Sequence, residues 1–488
     1  MDSLNSLLLK FLLPIKSIRA RYLPLLCIYF AYGASAFTSI AESFWIKSHL
    51  DLDSSELITL GVWLMIPWSI KMVFGQIVDS FSLIGSRRKG FIYLGATLIL
   101  VSTLMMIDMV GEHQILPFSK EFTFILSSVI AVIGFVLQDV VADTMSTEVI
   151  DKSASKEEQK RELAIIQVLG RLALGLAGIL VVGLGGIVAK HSYELVFIIA
   201  LIIPFISIAG AMLVKLDTPL KSPLNNKIFF GGITFAFFVI FMGYNNFAYS
   251  QEIIFFVSLF VILFMIYELI KDLSNKQIKF MVSAIVIIFI YRAVPSVGPG
   301  LLWWEIDVLG FDEQFFGVLK QIGAVLALFG LWFMSDLIVK LSISKVLIIL
   351  VLISTVLSLP ILGMYYGLHE YTAAFGISAR DIALIDVALD SPFDYLSMVV
   401  LLTLVAVNAP EGRKGTWFAL MTSLMNLALM ASGLLTKYLN KIFVISREVI
   451  SDGVTISTAD YSNLGILMSI VISIGFFVPV AFIYFLRK

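Results

Sequence analysis

Fourteen apolar stretches of about 20 residues each dominate this sequence. A stretch of that length crosses the hydrocarbon core of a bilayer as a helix, and helices satisfy their own backbone polar groups in lipid. The sequence therefore predicts an all-α polytopic membrane protein with about fourteen transmembrane helices. The predicted spans are residues 22–42, 56–79, 90–108, 121–149, 161–189, 193–214, 228–247, 252–271, 280–303, 314–340, 345–366, 393–410, 414–440 and 463–486.

The composition agrees with a chain that is solvated by lipid. Hydrophobic residues make up 59% of the 488 positions and charged residues 14%, and the mean hydropathy is +0.98. A net charge of −1 gives no reason to expect a nucleic-acid partner. The four histidines lack metal-ligand spacing, and no phosphate-binding glycine loop or nucleophile motif occurs. We therefore expect no metal, no cofactor, no ATP-driven pump and no enzyme.

Lysine and arginine positions predict the topology. With a cytoplasmic N-terminus, 23 of the 34 basic residues fall in inside segments and 7 in outside segments. This asymmetry predicts a multi-pass protein of the cell membrane with both termini cytoplasmic. The count does not test the pair of spans at 228–271, because two spans return the chain to the same side.

The order of the spans predicts three regions. Residues 1–214 form an N-terminal six-helix bundle, 215–279 hold cytoplasmic connectors and a two-helix insert, and 280–488 form a C-terminal six-helix bundle. The longest outside loop is predicted at 367–392, with room for a short surface helix.

Charged residues at membrane depth are costly and usually face a cavity or a partner. Every third span, counted without the insert, has no charge in its apolar interior, which predicts one lipid-facing helix in every three. Lys71, Asp139 and Arg171 lie on spans 2, 4 and 5. At a rise of 1.5 Å per residue, each lies about 12 to 15 Å from the predicted cytoplasmic end of its helix, so the three could share one layer. The charges at depth are Lys71, Asp139, Asp143, Arg171, Arg292 and Lys320.

Two interpretations of these charges stay open. In one, Lys71, Asp139 and Arg171 form a buried ion-pair network that fixes helix packing. In the other, the basic residues bind an anionic substrate and a carboxylate carries a proton, as intramembrane charges do in transporters. On the second interpretation Lys71, Arg171 and Arg292 bind the substrate, while Asp139 and Asp143, which share a helix face, couple transport to protons.

Glycine, proline and tryptophan mark two further spans. The six glycines of residues 170–186 predict close helix packing. Pro295 and Gly298 weaken the outer half of span 7, which predicts either a kink or a broken segment that gates an outer opening. Trp303 and Trp304 are expected at the outer membrane interface, as belt tryptophans.

The segment "GQIVDSFSLIGSRRKG", residues 75–90, resembles the loop between helices 2 and 3 of the major facilitator superfamily. It is closer still to the folate–biopterin transporter family, which "QDVVADTMSTEV" and "APEGRKGTWFALMTSLMNL" also resemble. The positions in the first segment that carry this resemblance are Lys71, Gly75, Asp79, Ser80, Gly85, Arg87, Arg88 and Phe91.

The resemblance implies a major facilitator fold of two six-helix bundles, here with a two-helix insert. It implies a secondary transporter that moves a small organic anion of folate or pterin type by alternating access, coupled to protons. The alternatives are a muropeptide, nucleotide-type or other metabolite transporter of the same superfamily, and a non-transporting receptor or platform on the same fold. It also implies a cytoplasmic gate latch, in which Gly75 permits close helix contact and Asp79 pairs with Arg87 or Arg88.

Overall fold

The computed structural model of the protein describes residues 18–486, apart from 51, 87, 114, 150–154, 214–225, 246, 248, 334–342, 408–413 and 452–453. The described residues of the fourteen predicted spans lie mainly in helices or in interrupted runs of helices, which confirms the all-α class. Eight of the described helical stretches are long and apolar enough to cross a membrane.

The helices are α1 Ala20–His49, α2 Ser54–Leu64, α3 Lys71–Ser80, α4 Lys89–Val110, α5 Lys120–Glu148, α6 Lys156–Ala189, α7 Tyr193–Ala200, α8 Ile202–Leu213, α9 Asn226–Tyr244, α10 Ser250–Ile270, α11 Asn275–Arg292, α12 Pro299–Asp307, α13 Glu313–Phe333, α14 Ile343–Leu357, α15 Leu359–Tyr365, α16 Leu368–Ala373, α17 Ala379–Val407, α18 Lys414–Ile442 and α19 Leu464–Leu486.

The chain divides into two compact units. The first comprises Met1–Trp45 and Ile70–Ala236, and the second comprises Ile46–Ser69 and Phe237–Lys488. The boundary at residue 69 falls where predicted span 2 is interrupted, around the single helical turn Ile66–Ser69. Pro67 in that turn has no backbone N–H and so does not continue the hydrogen-bond ladder of α2. The division into six, two and six spans stays a prediction.

In the first unit, α1 packs against α6 and α8, and α4 packs against α5. The buried Gln138 on α5 holds two neighbours, since its amide nitrogen donates to the carbonyl oxygen of Ile92 at 3.2 Å and its amide oxygen accepts from the Ser207 hydroxyl at 3.1 Å. A buried amide with both ends paired fixes helix positions that apolar packing alone would leave free to slide.

Trp303 and Trp304 are not interfacial in the second unit. They are 1% and 3% exposed, and Trp304 belongs to an apolar core cluster with Ile382 of α17 and Leu464 of α19. The prediction of a tryptophan belt at this position was therefore wrong. Tryptophan in an apolar run fits both a membrane interface and a packed core, and only the helix neighbours distinguish the two.

The region predicted as the outside loop 367–392 is largely helical. It holds α16 and the first half of α17, which begins at Ala379 and continues through Pro392 without ending. A side chain at Gly330 would lie 2.2 Å from the carbonyl oxygen of Pro392, so that glycine makes room for the proline turn. A short antiparallel hairpin, β1 Val449–Ser451 and β2 Val454–Ser457, was not predicted from the sequence.

Span 7 is broken, and a gating role for this break stays a prediction. Helix α11 ends at Arg292, Gly298 has φ of +88°, and α12 begins at Pro299. A positive φ of this size suits glycine because it has no Cβ.

Helix α18 satisfies the backbone of the broken segment with a row of polar side chains spaced four residues apart. The Ser432 hydroxyl donates to the carbonyl of Val294 at 2.6 Å, and the Thr436 hydroxyl accepts from the backbone N–H of Ser296 at 2.9 Å. One turn further on, the Asn440 amide donates to the carbonyl of Val297 at 3.0 Å. Non-helical backbone at membrane depth persists where protein groups bond to it in this way.

Candidate functional site

The candidate site of the first unit is centred on the Lys71 ammonium group. Its Nζ donates to the carboxylate of Asp139 and, at 2.6 Å, to Oδ2 of Asp143. The two carboxylates are four residues apart on α5 and therefore project from one helix face. The structure brings together Lys71, Asp139 and Asp143, whereas the network expected from the sequence consisted of Lys71, Asp139 and Arg171.

The interruption of span 2 positions this ammonium group. Lys71 is the first residue of α3, directly after the break, and α3 packs against α5. The exposed fractions of the side chains are 19% for Lys71, 13% for Asp139 and 44% for Asp143. The lysine and Asp139 are thus the shielded part of the cluster, and Asp143 is its open side.

Tyr29 is a member of the site that the sequence analysis missed. It is 4% exposed, and its hydroxyl donates to Oδ1 of Asp143 at 2.7 Å. A Cβ at Gly170 would lie 2.7 Å from the Tyr29 ring, so the absence of a side chain there makes room for the tyrosine. A tyrosine within the apolar span 1 was the signal available, because a buried hydroxyl requires a partner.

Arg171 follows Gly170 on α6 and is exposed. Its charge acts on Tyr29 and Asp139 through space, but within the described ranges it forms no ion pair. With Lys71 and the two aspartates it gives a cluster of balanced charge. Lys71 is engaged by both carboxylates, so Arg171 is the cation of this group that remains open to an anion.

Arg292 belongs to the second unit. It ends α11 immediately before the broken segment, is half-buried, and its Nε donates to the carbonyl of Met425 at 3.4 Å. Lys320 on α13 is exposed. The substrate-binding roles predicted for Lys71, Arg171 and Arg292 stay predictions.

The predicted gate latch is described only in part. Arg88 is 4% exposed and binds Glu148 with two N–H groups, of which Nε lies 2.9 Å from Oε2, and its Nη1 donates to the carbonyl of Val78 at 2.8 Å. The side chain of Asp79 and all of Arg87 lie outside the described residues, so the pairing of Asp79 stays a prediction.

Gly75 does not require its lack of a side chain for packing. A Cβ there would lie 4.0 Å from Cγ1 of Val140, which is an ordinary contact. The close helix contact predicted at this glycine is therefore absent between α3 and α5.

A second polar group lies at the predicted outer end of the second unit. We call Lys47, Asp307, Arg447 and Tyr461 the Asp307 cluster. Lys47 Nζ and the Tyr461 hydroxyl each donate to the Asp307 carboxylate at 2.5 Å, and Arg447 Nη1 donates to the carbonyl of Ile46 at 2.9 Å. Burial and the Asp307 carboxylate raise the pKa of Tyr461, so its phenol remains a hydrogen-bond donor.

Next to this cluster, the Ser54 hydroxyl donates to the side-chain oxygen of Asn440 at 2.6 Å. The residues that follow span 1 and begin span 2 are thereby bonded to α12 and α18 at their predicted outer ends. The contacts all lie within one compact unit.

Comparison with known proteins gives a consistent result. The model of the BT1 family matches residues 33–488. The folate-biopterin transporter of Synechocystis sp. is 23% identical over 427 residues, which cover 83% of this chain and 72% of that protein. Folate transporter 1 of Plasmodium falciparum is 21% identical over 459 residues, covering 93% and 77%.

Among solved structures, a POT family transporter bound to a thioalcohol-conjugated peptide superposes with a TM-score of 0.65 at 13% identity. The match covers 96% of each chain. At this identity the likeness shows that the two chains share a fold.

Proposed function

Because this chain belongs to the BT1 family, we propose that this secondary transporter moves a small organic anion of folate or pterin type by alternating access, coupled to protons. The relatives named as folate and folate-biopterin transporters support the substrate class. The observation that carries the coupling is the Lys71 ammonium group, held by two carboxylates among apolar helices. We place the protein in the cell membrane with both termini cytoplasmic.

The coupling step follows from the charges of the cluster. While both aspartates are ionised, their two negative charges balance those of Lys71 and Arg171, so the cluster carries no net positive charge to attract the substrate. A proton on Asp139 or Asp143 withdraws one acceptor and leaves Lys71 with hydrogen-bonding capacity for an anionic group. Proton binding and anion binding then favour each other, which is the requirement for symport.

Arg171 and Arg292 supply further contacts to anionic groups of the solute in this proposal. Guanidinium groups bind carboxylates with two parallel hydrogen bonds, which gives both affinity and orientation. Arg171 is the exposed cation beside the aspartate pair, and Arg292 is half-buried at the break in span 7.

The Asp307 cluster serves as the outer gate in this mechanism. The cluster holds the end of α1 against α12, and the neighbouring bond of Ser54 to Asn440 holds the start of α2 against α18. Opening toward the outside requires these contacts to separate. Asp79, Arg87 and Arg88, with Gly75 nearby, form the latch at the opposite, cytoplasmic end. The two gates close in alternate states, as a two-state switch.

Uptake into proteoliposomes tests the proposal. A labelled folate is supplied with and without an inwardly directed pH gradient, and unlabelled pterins, nucleotides, muropeptides and peptides are added as competitors. We expect the gradient to accelerate folate uptake and pterins to compete. Competition by muropeptides or nucleotides alone would move the chain to another substrate class, and absence of any uptake would favour a receptor or platform.

Two substitutions test the proposed roles of Asp139 in proton coupling and of Arg292 in substrate binding. Asp139→Asn is expected to abolish the acceleration by the gradient while solute exchange without a gradient continues. Arg292→Gln is expected to raise KM about 10- to 100-fold, since one charged hydrogen bond contributes about 1.5 to 3 kcal/mol. Lys276→Gln is the matched control, because Lys276 is exposed on the same helix, α11. Retained gradient dependence in the first variant, or an unchanged KM in the second, contradicts the assignment.

A further inference from the structure

The two-helix insert makes a buried ionic contact with the C-terminal half of the chain. Glu252 lies in the first turn of α10, and its Oε1 accepts from Lys437 Nζ of α18 at 2.5 Å and from the Tyr438 hydroxyl at 2.6 Å. The side chains of Lys437 and Glu252 are only 7% and 16% exposed. Lys437 lies buried within α18.

The residue before Glu252 contacts a different helix. Gln251 is 4% exposed, its amide nitrogen donates to the backbone carbonyl of Thr59 on α2 at 2.7 Å, and its amide oxygen accepts from Lys437 at 3.1 Å. One turn of the insert therefore binds α2 on one side and α18 on the other. The bonds of Gln251 and Lys437 are made by buried side chains, where an unpaired partner is costly.

These two helices are also the ones that meet at the proposed outer gate. Lys437 directly follows Thr436, which bonds to the broken segment of span 7, and precedes Asn440, which bonds to Ser54 of α2. The insert thus contacts α18 at the level where α18 supports the break. When the distance between α2 and α18 increases, Gln251 and Glu252 cannot keep their bonds to both helices.

We propose that Gln251 and Glu252 are positioning residues of the outer gate, and that α10 acts as a strut that holds α2 against α18 while this gate is closed. On this proposal the insert takes part in the transport cycle. When the gate opens, either the Thr59 contact or the Lys437 contact breaks. The ion pair is expensive to break because it would leave a buried charge, so the strut favours the closed gate. The proposal rests on the proposed function only in naming this end of the molecule a gate.

Cysteine labelling measures the gate without any substrate. Ile58 of α2 lies against the break, with its Cδ1 3.1 Å from the position of a Cβ at Gly298. A cysteine at this position, in a Cys27→Ser background, reacts with a water-soluble maleimide only when the gate opens. The protein is purified in detergent micelles, and the labelling rate is compared between variants of the strut.

We expect Glu252→Gln to raise the labelling rate of Ile58→Cys at least tenfold. The charge exchange Glu252→Lys with Lys437→Glu is expected to return the rate to within about threefold of the parent, since the pair is restored with opposite orientation. Glu268→Gln is the matched control on the same helix, because the Glu268–Lys271 pair is exposed, and surface pairs contribute little. It is expected to leave the rate unchanged.

Gln251→Leu provides a second variant that keeps the Glu252–Lys437 ion pair and removes the hydrogen bonds of Gln251 to Thr59 and to Lys437. It is expected to accelerate labelling severalfold. Equal labelling rates in the parent, Glu252→Gln and Gln251→Leu would overturn the proposal, as would a failure of the charge exchange to reverse the effect of Glu252→Gln. Since labelling requires no solute, a failed uptake experiment leaves this result unaffected.

Discussion

Replacing Lys71 with methionine removes the charge at the centre of the candidate site and nearly preserves the side-chain length. Asp139 and Asp143 then remain as two carboxylates on one helix face without a cation bonded to them. Breaking a buried ion pair on one side costs about 3–5 kcal/mol, because the remaining charge is not compensated. Asp143 is 44% exposed and retains the Tyr29 hydroxyl, so most of the cost arises at Asp139.

A triple variant separates charge from packing. Adding Asp139→Asn and Asp143→Asn to Lys71→Met leaves no uncompensated charge, and replacing a whole buried ionic group is often close to neutral. We therefore expect the triple variant to recover at least half of the stability lost in Lys71→Met alone. Lys276→Met, at an exposed position, is the control and should change stability by less than about 1 kcal/mol.

The free energy of unfolding is measured by denaturant titration of the purified protein in mixed micelles. Two results would refute the reasoning. If Lys71→Met is as stable as the wild type, the ammonium group does not neutralise the aspartates. If the triple variant is as unstable as the single one, the loss is due to packing, and the interpretation of this cluster as an electrostatic unit fails.

Two further predictions concern packing. Gly170→Ala places a methyl group 2.7 Å from the Tyr29 ring, so we expect the free energy of unfolding to fall by about 1–3 kcal/mol and uptake to slow. The control Gly61→Ala, with no atom within 4 Å of the added methyl group, should be neutral or slightly stabilising. Equal effects of the two changes would contradict crowding at Gly170. Trp304→Ala should lower the free energy of unfolding by about 3–5 kcal/mol, because the indole fills the core cluster. This loss should exceed that of Trp63→Ala, which lies at a half-buried position. A loss below about 1 kcal/mol for Trp304→Ala would indicate an interfacial tryptophan instead.

The predictions that held rest on local properties of the chain. Helical spans follow from runs of apolar residues that are long enough to cross a bilayer. The break in span 7 follows from Pro299 and Gly298. Proline fixes its own φ angle and lacks a backbone N–H, whereas glycine permits positive φ angles, and both effects act wherever these residues occur. Lys71 and the two aspartates were found because isolated charges in apolar helices are rare and need partners.

The predictions that failed depend on which residues lie beside each other in space. Trp304 is buried because α17 and α19 cover it, and no property of its own span indicates this. Residues 379–392 carry polar and charged side chains that read as a loop, yet they continue a helix, and Gly330 makes room for their proline. In both cases the deciding neighbour is far away in the sequence.

The sequence by itself determined the class of this protein, the location of its apolar helices and the residues at which charge enters them. Hydropathy and charge act on each segment independently, so they can be read without knowing the fold. Only the tertiary structure decided that Tyr29 joins Asp143, that Glu148 binds Arg88, and that Glu252 of the insert binds Lys437. The partners in each of these pairs are separated by 60 or more residues, and which of the available partners a buried polar group obtains is settled only when the helices pack.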